Sequence, residues 1–332
     1  MKLRFGPEAC RLLAALVLLA GTTVARAEIT CTNASMGDLS FGEVNSVGVA
    51  ERAQTTLIYS CSNDNRDSTR NSSAMLCFSL GFRDPYMRSR GTNRLYFNLY
   101  QDAALTLLWG SQFGGAQHGS PLMVPVTLPA GAAAVPFRAT LYGIVPAGQN
   151  KAEPGAYSAE YQFADTALTV ASVPGDVPPA DCERRREERF PFHVIATISP
   201  RCVVAAGRTL DFGTVQPDAN DSEGSTNIDV ACTFKTPYSI GLSPSNGSVD
   251  GAGLMRGSRG DNRDRVPYQL TSTPGRRGRP WGNDDVSADH EGNGVSGSGK
   301  GATEVYSVYA TVPDAAYAPD SYSDTVTVTV YY

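Results

Sequence analysis

Residues 325–332 alternate without a break. Val326, Val328, Val330 and Tyr332 fall on one face; Thr325, Thr327, Thr329 and Tyr331 fall on the other. A period of two in β-branched residues predicts a half-buried strand. Tyr157, Ala159, Tyr161 and Phe163 show the same period earlier in the chain. Short apolar runs at 56–60, 76–82, 95–100 and 137–142 are separated by Gly, Asn, Asp and Ser. No stretch beyond residue 27 has a sustained helical period. The pattern predicts an all-β chain of antiparallel sandwiches, with roughly seven short strands in each.

The pattern also occurs twice. Leu39-Ser-Phe-Gly-Glu-Val44 recurs as Leu210-Asp-Phe-Gly-Thr-Val215, 171 residues on. Cys31 and Cys61 match Cys202 and Cys232 at that same offset. Leu95, Phe97 and Leu99 match Val266, Tyr268 and Leu270. Trp109-Gly110 matches Trp281-Gly282, and Tyr157-Ser158 matches Tyr322-Ser323. Offsets that drift only in Gly- and Pro-rich loops indicate two copies of one domain. The copies then differ. Ala167 maps onto Tyr332, and copy one carries further strand-like runs at 168–173 and 190–199. Copy one has material for one more strand; copy two, as far as this sequence runs, does not. A sandwich short of a strand exposes an unpaired edge and part of its core.

The start of the chain reads as an address. Lys2, Arg4 and Arg11 precede the apolar run 12–20, and Ala25-Arg26-Ala27 fits a cleavage site. This is the pattern of a secretory signal peptide over 1–27, too short for the roughly 20 apolar residues of a span. The expected mature chain therefore passes through an oxidising compartment, and it retains six of the seven Cys. The repeated spacing of 30 makes Cys31–Cys61 and Cys202–Cys232 the expected bridges. Cys77 and Cys182 remain for a third. A net charge of −5 excludes the basic footprint of a nucleic-acid binder.

Further residues point to a family. Copy two has Cys202, Leu210-Asp-Phe-Gly213, the run Gly299-Lys-Gly-Ala-Thr-Glu-Val-Tyr-Ser-Val-Tyr-Ala-Thr-Val-Pro313, and Tyr322-Ser-Asp-Thr-Val-Thr-Val-Thr-Val-Tyr-Tyr332. It resembles the spore coat protein U domain. Copy one is a more diverged version, with Leu39-Ser-Phe-Gly42, Leu141-Tyr-Gly-Ile-Val-Pro-Ala-Gly148 and Gly155-Ala-Tyr157. These domains are the pilins of archaic (Csu-type) chaperone–usher pili. The resemblance implies immunoglobulin-like pilin sandwiches, the C-terminal one lacking its last strand. It also implies the partners: a periplasmic chaperone that caps the gap and binds the terminal carboxylate at Tyr332, an outer-membrane usher, and a neighbouring pilin whose donor strand replaces the chaperone. Val326, Val328, Val330 and Tyr332 are the expected groove residues.

In shaft subunits the donor arm precedes the first conserved Cys. Here only Glu28, Ile29 and Thr30 stand between the expected cleavage site and Cys31. Phe190, Phe192, Val194, Ala196 and Ile198 instead alternate ahead of Cys202. Three assignments stay open: 190–199 completes copy one, 168–173 completes it, or 190–199 is the first strand of copy two. The expected division is 28–182 for the first domain, 183–201 for a charged linker with a possible donor-like strand, and 202–332 for the second domain. A subunit that receives a strand without giving one sits at a fibre end, so the resemblance implies a two-domain tip adhesin at the cell surface. It would serve surface attachment and biofilm formation.

Candidate adhesive positions, on an abiotic or host surface, are apolar residues flanked by Gly and Pro in copy one: Leu107, Leu108, Trp109, Phe113, Leu122, Met123, Ile144 and Val145. Trp109 has a counterpart in Trp281, which argues for a shared structural role. Other motifs carry less. Gly294–Lys300 resembles a phosphate loop but has Gly301 in place of Ser or Thr, and reads as a flexible hairpin loop. Asp284, Asp285, Asp289, His290 and Glu291 read as a solvated acidic loop. The run 183–189 reads as an exposed linker. His118, His193 and His290 lie in no catalytic motif, and no G-x-S-x-G elbow occurs. No enzyme and no cofactor is expected. The rival reading is a free-standing secreted β-sandwich, either a carbohydrate-binding or a coat structural protein.

Overall fold

The computed structural model describes residues 29–65, 69–81, 84–90, 92–114, 119–184 and 186–332. The expected signal peptide lies outside them. The described residues form two tandem all-β sandwiches, each with its own apolar core. All three expected disulfides are present: Cys31–Cys61, Cys77–Cys182 and Cys202–Cys232.

In the first sandwich, β1 (Ile29–Met36) pairs with β3 (Glu51–Asn63), which pairs with β9 (Val135–Val145), which pairs with β7 (Asn98–Tyr100). A second sheet runs β2 (Leu39–Glu43), β13 (Phe192–Ile198), β10 (Gly155–Tyr161), β5 (Tyr86–Arg88), β6 (Arg94–Tyr96). A third runs β12 (Arg186–Glu188), β11 (Thr166–Pro174), β4 (Ser72–Leu80), β8 (Leu122–Leu128). The segments outnumber the seven strands expected because single runs break and change sheet. One such break is the 3₁₀ turn Phe163–Asp165 between β10 and β11.

The structure resolves the open assignment. β13 lies between β10, antiparallel, and β2, parallel, inside the first sandwich. Phe190, Phe192, Val194, Ala196 and Ile198 are all buried in that core. The run 168–173 belongs to the same domain, as part of β11. Within the charged run 183–189, Arg186–Glu188 forms β12, which pairs with β11, and Arg189 Nη1 donates to the Thr166 carbonyl at 3.1 Å. In β13 the inward positions Phe192, Val194, Ala196 and Ile198 are apolar and alternate with the outward His193, Ile195 and Thr197.

Only Ser199, Pro200 and Arg201 separate β13 from β14 (Cys202–Ala206). The second sandwich has a six-stranded sheet, in the order β14, β15 (Asn220–Cys232), β20 (Thr303–Asp314), β18 (Arg265–Thr271), β17 (Ala252–Gly257), β21 (Tyr322–Ser323). Its partner has three strands, β19 (Val295–Ser298), β16 (Pro237–Pro244) and β22 (Val326–Tyr331). The motif at 294–300 is therefore mostly strand β19 rather than a flexible loop. It is anchored because Val295 faces Ile240 of β16 and packs on the core.

The complement 190–198 carries much of the first domain's burial. At about 1.5–3 kcal/mol for each fully buried large apolar side chain, it contributes on the order of 10 kcal/mol. That is comparable to a whole domain's net stability of about 5–15 kcal/mol. The Phe192 ring stacks on Tyr161 at 4.6 Å and on Trp109 at 6.0 Å. F192A is expected to destabilise the first domain by about 3–5 kcal/mol in denaturant unfolding of the mature chain. The second domain's transition should not move.

At the rim, His193 of β13 reaches Asp38 at 3.0 Å and Glu160 at 3.6 Å. The Asp38 hydrogen bond raises its pKa. This contribution is full below the ordinary value of about 6.5 and fades as pH rises through the raised value. The first domain's unfolding midpoint should therefore fall as pH rises from the ordinary imidazole value of about 6.5 through the raised one. H193Q should flatten that slope in the same unfolding assay.

Candidate functional site: the open edge of the second sandwich

Shared hydrogen bonds put the two copies in register. The indole N–H of Trp109 donates to the Phe78 carbonyl at 2.9 Å, and that of Trp281 to the Ile240 carbonyl at 2.8 Å. Tyr157 and Tyr322 each donate a hydroxyl to the carbonyl four residues earlier, both at 2.7 Å. Ser158 faces Arg88, and Ser323 faces Arg256. Gly42 and Gly213 take the same left-handed turn, with φ of +65° and +67°. Only glycine adopts such values freely.

In this register β10–β11 corresponds to β21–β22. In copy one β13 covers that edge from Gly155 to Tyr161, and β12 covers it again at Leu168 and Thr169. In copy two β22 pairs with β16 on one side, and among the described residues no strand pairs with its other side. The loss shows in a third element. Leu39–Glu43 is a strand because β13 lies beside it. The matching Leu210-Asp-Phe-Gly213 forms no strand.

The groove floor is apolar. Leu210, Phe212, Tyr322, Val326, Val328 and Val330 pack on the second core but stay half-exposed. Their counterparts Leu39, Phe41 and Tyr157 are buried. Val204 on β14, opposite buried Val230, is 40% exposed. Of the expected groove residues, Val326, Val328 and Val330 line this floor. Tyr332 lies exposed beyond the end of β22. Leu210 and Phe212 were not assigned to the groove from sequence. The repeat held the signal, since Leu210 and Phe212 match Leu39 and Phe41.

One polar group interrupts the floor. Asp324, in the break between β21 and β22, accepts the Tyr268 hydroxyl at 2.6 Å, the Ser245 hydroxyl and the Thr325 amide. Burial, then the hydrogen bond and charge of Asp324, push the Tyr268 phenol well above its ordinary pKa. The phenol therefore remains a proton donor at neutral pH.

The candidate adhesive residues scatter. Leu107 is 57% exposed on a hairpin fixed by the Asp102 carboxylate, which accepts the Thr106 and Leu107 amides. Those bonds lower the pKa of Asp102, the Leu107 amide most. Phe113 is exposed, with the Arg186 guanidinium 4.6 Å above its ring. Leu108, Trp109 and Phe113 share the lining of a cavity of about 440 Å³ with Tyr96 and Asn98. Leu122 and Met123 lie on edge strand β8, Leu122 packed on the core and Met123 exposed.

Two candidates are not surface residues. Trp109 is 3% exposed because its indole is the bonded anchor stacked on Phe190 and Phe192. Val145 is 2% exposed because it ends β9, facing the core, and Ile144 beside it is strand as well, not loop. In the acidic loop Glu291 is held by Arg279 and Ser296. No group of three or more metal-ligating side chains occurs among the described residues.

Residues 16–161 and 189–329 match the model of the Spore Coat Protein U domain, so the chain belongs to that family, with two copies of its domain. The comparison with curated proteins returned no match. Among solved structures, the chain is similar to the CsuC–CsuE chaperone–tip adhesion subunit pre-assembly complex of Acinetobacter baumannii. Identity is 16%, the TM-score is 0.48, and the alignment covers 91% of this chain and 100% of that one. It is also similar to the CupB6 tip adhesin of Pseudomonas aeruginosa, at 12% identity and TM-score 0.31, covering 91% and 95%. The CFA/I adhesin CfaE of enterotoxigenic E. coli gives 12% identity and TM-score 0.27, covering 92% and 88%.

If the floor is a strand-binding groove, an extended peptide alternating apolar residues should bind there. Addition of such a peptide to the mature chain is expected to raise the second domain's unfolding temperature and leave the first domain's unchanged, read by calorimetry.

Proposed function

We propose that this protein is the tip subunit of an archaic chaperone–usher fimbria, with no enzymatic activity. Its second domain accepts a donor strand from the next pilin, and its first domain presents the attachment surface. One observation carries the reading: the same groove exists twice in one chain, filled by 186–198 in the first domain and open in the second. The filled copy supports an extended strand as occupant, running antiparallel to β21–β22 and parallel to 210–215. Main-chain hydrogen bonds would supply affinity, and alternate side chains the fit.

The partners follow the life of the groove. A periplasmic chaperone would lend a strand before assembly, the usher would export the subunit, and the neighbouring pilin would replace the loan. The tip position draws support from the other end of the first domain. The residues where a shaft subunit carries its donor arm are engaged at home, since Ile29 is buried and β1 pairs with β3 from that residue onward. Leu107, Phe113 and Met123 are the exposed apolar candidates for contact with an abiotic or host surface, and so for biofilm formation.

V328D places a charge on the groove floor. It should abolish surface display of fibres, seen by electron microscopy and surface immunolabelling, while the transcript level is unchanged. Normal piliation would sink the acceptor reading. The triple variant L107S/F113S/M123S should leave fibres visible and reduce attachment to plastic severalfold. Undiminished attachment would remove these residues from the contact surface.

A further inference from the structure

The two grooves differ at one matched pair of positions. Tyr157 and Ser158 match Tyr322 and Ser323, so the next residues, Ala159 and Asp324, are equivalent. Phe97 and Tyr268 are equivalent too: Trp109 N–H donates to Leu99 O at 2.9 Å, and Trp281 N–H to Leu270 O at 3.0 Å, two residues beyond each. Where the filled groove has a phenylalanine and an alanine, the open one has a tyrosine hydroxyl bonded to a carboxylate at 2.6 Å. Both residues change together, and the change turns an apolar spot polar.

The filled groove shows what faces this spot. Ala159 lies directly opposite Val194 of β13, and both are buried. Directly opposed residues in an antiparallel pair hold their Cβ atoms about 4.5–5.5 Å apart on one face. A strand entering the open groove in that register sets its Val194-equivalent side chain against Asp324. A branched apolar group there would strip water from the carboxylate without replacing the hydrogen bond, which costs free energy. A side-chain hydroxyl or amide would restore it.

Resting on the acceptor-groove reading above, we propose that the Tyr268–Asp324 pair is a specificity station of that groove. It selects donor strands that carry a hydroxyl or amide side chain at this one inward position and apolar residues at the others. The same station disfavours this chain's own strand 186–198, which brings Val194. The chain holds both a donor-like strand and an open acceptor, and a swap between copies would propagate head to tail without closing. Repulsion of the wrong strand is as much a part of specificity as attraction of the right one.

The test uses two synthetic peptides, residues 186–199 as they stand and the same peptide with V194S. Each is added to the full mature chain refolded from denaturant. Affinity is read by fluorescence titration, and the second domain's unfolding temperature by calorimetry. The V194S peptide is expected to bind about tenfold tighter than its parent. In the double variant Y268F/D324A, which copies the first domain's pair, the order should reverse. Should that variant fail to fold, D324N, which keeps the acceptor but loses the charge, should narrow the preference severalfold. Equal binding of the two peptides to the unmodified chain, or a preference unchanged in the variants, overturns the selection. If neither peptide raises the second domain's unfolding temperature, the acceptor groove itself fails.

Discussion

A strand edge with an apolar floor behind it must be covered, because unpaired amides and exposed valines invite any extended chain to add itself. This protein meets that constraint twice, in two ways. In the first domain 186–198 closes the edge, with Phe190 and Phe192 stacked against Trp109 and with β2 drawn into the sheet. In the second, among the described residues, β22 pairs with β16 on one side and with no strand on the other, and 210–213 stays out of strand form. The rest of the architecture follows from which copy is closed.

Closure within the chain also sets the spacing of the domains. The complement runs directly into β14 through three residues, and Thr233 N–H holds the Arg201 carbonyl of that link at 2.9 Å. Across the junction Lys235 meets Glu153 at 2.6 Å, and the Lys151 ammonium lies 4.7 Å from the Phe234 ring centroid. Exposed pairs of this kind add little stability. The short link is the stronger restraint on relative motion. Cys182, bonded to Cys77, fixes the far end of the complement, so the strand that closes the first domain is tied down on both sides.

Much of this was legible in the residues. The repeat, the bridges Cys31–Cys61 and Cys202–Cys232, the alternating final strand and the surplus strand of copy one follow from spacing and period, and Cys77–Cys182 is the pair left over. What sequence left open was register and depth. The run 190–199 could not be assigned to one domain by pattern, because the same alternation suits either sheet. The charges at 183–189 concealed strand β12, since polarity reports which face meets water and not whether the backbone is paired. Val145 stood among the adhesive candidates because Gly and Pro flank it, yet it points into the core, as Trp109 does in keeping with its match to Trp281. Asp324 was hidden in a run that reads as plain alternation, and only the comparison of the two folded copies shows it to be the polar point of the groove.

The most direct test of the central contrast is native-state amide hydrogen exchange on the full mature chain, read residue by residue in β11 and β22. Leu168 of β11, opposite Phe78, is equivalent to Val330 of β22, opposite Ile240, and the two differ in whether a neighbour covers the second edge. Slow exchange is predicted at Leu168 and Thr169, where β12 covers the second edge of β11. The account predicts fast exchange at the alternate amides of β22 that face away from β16, slowed once a donor strand is supplied. Uniform protection of β22 in the chain alone, equal to that of β11, would contradict it.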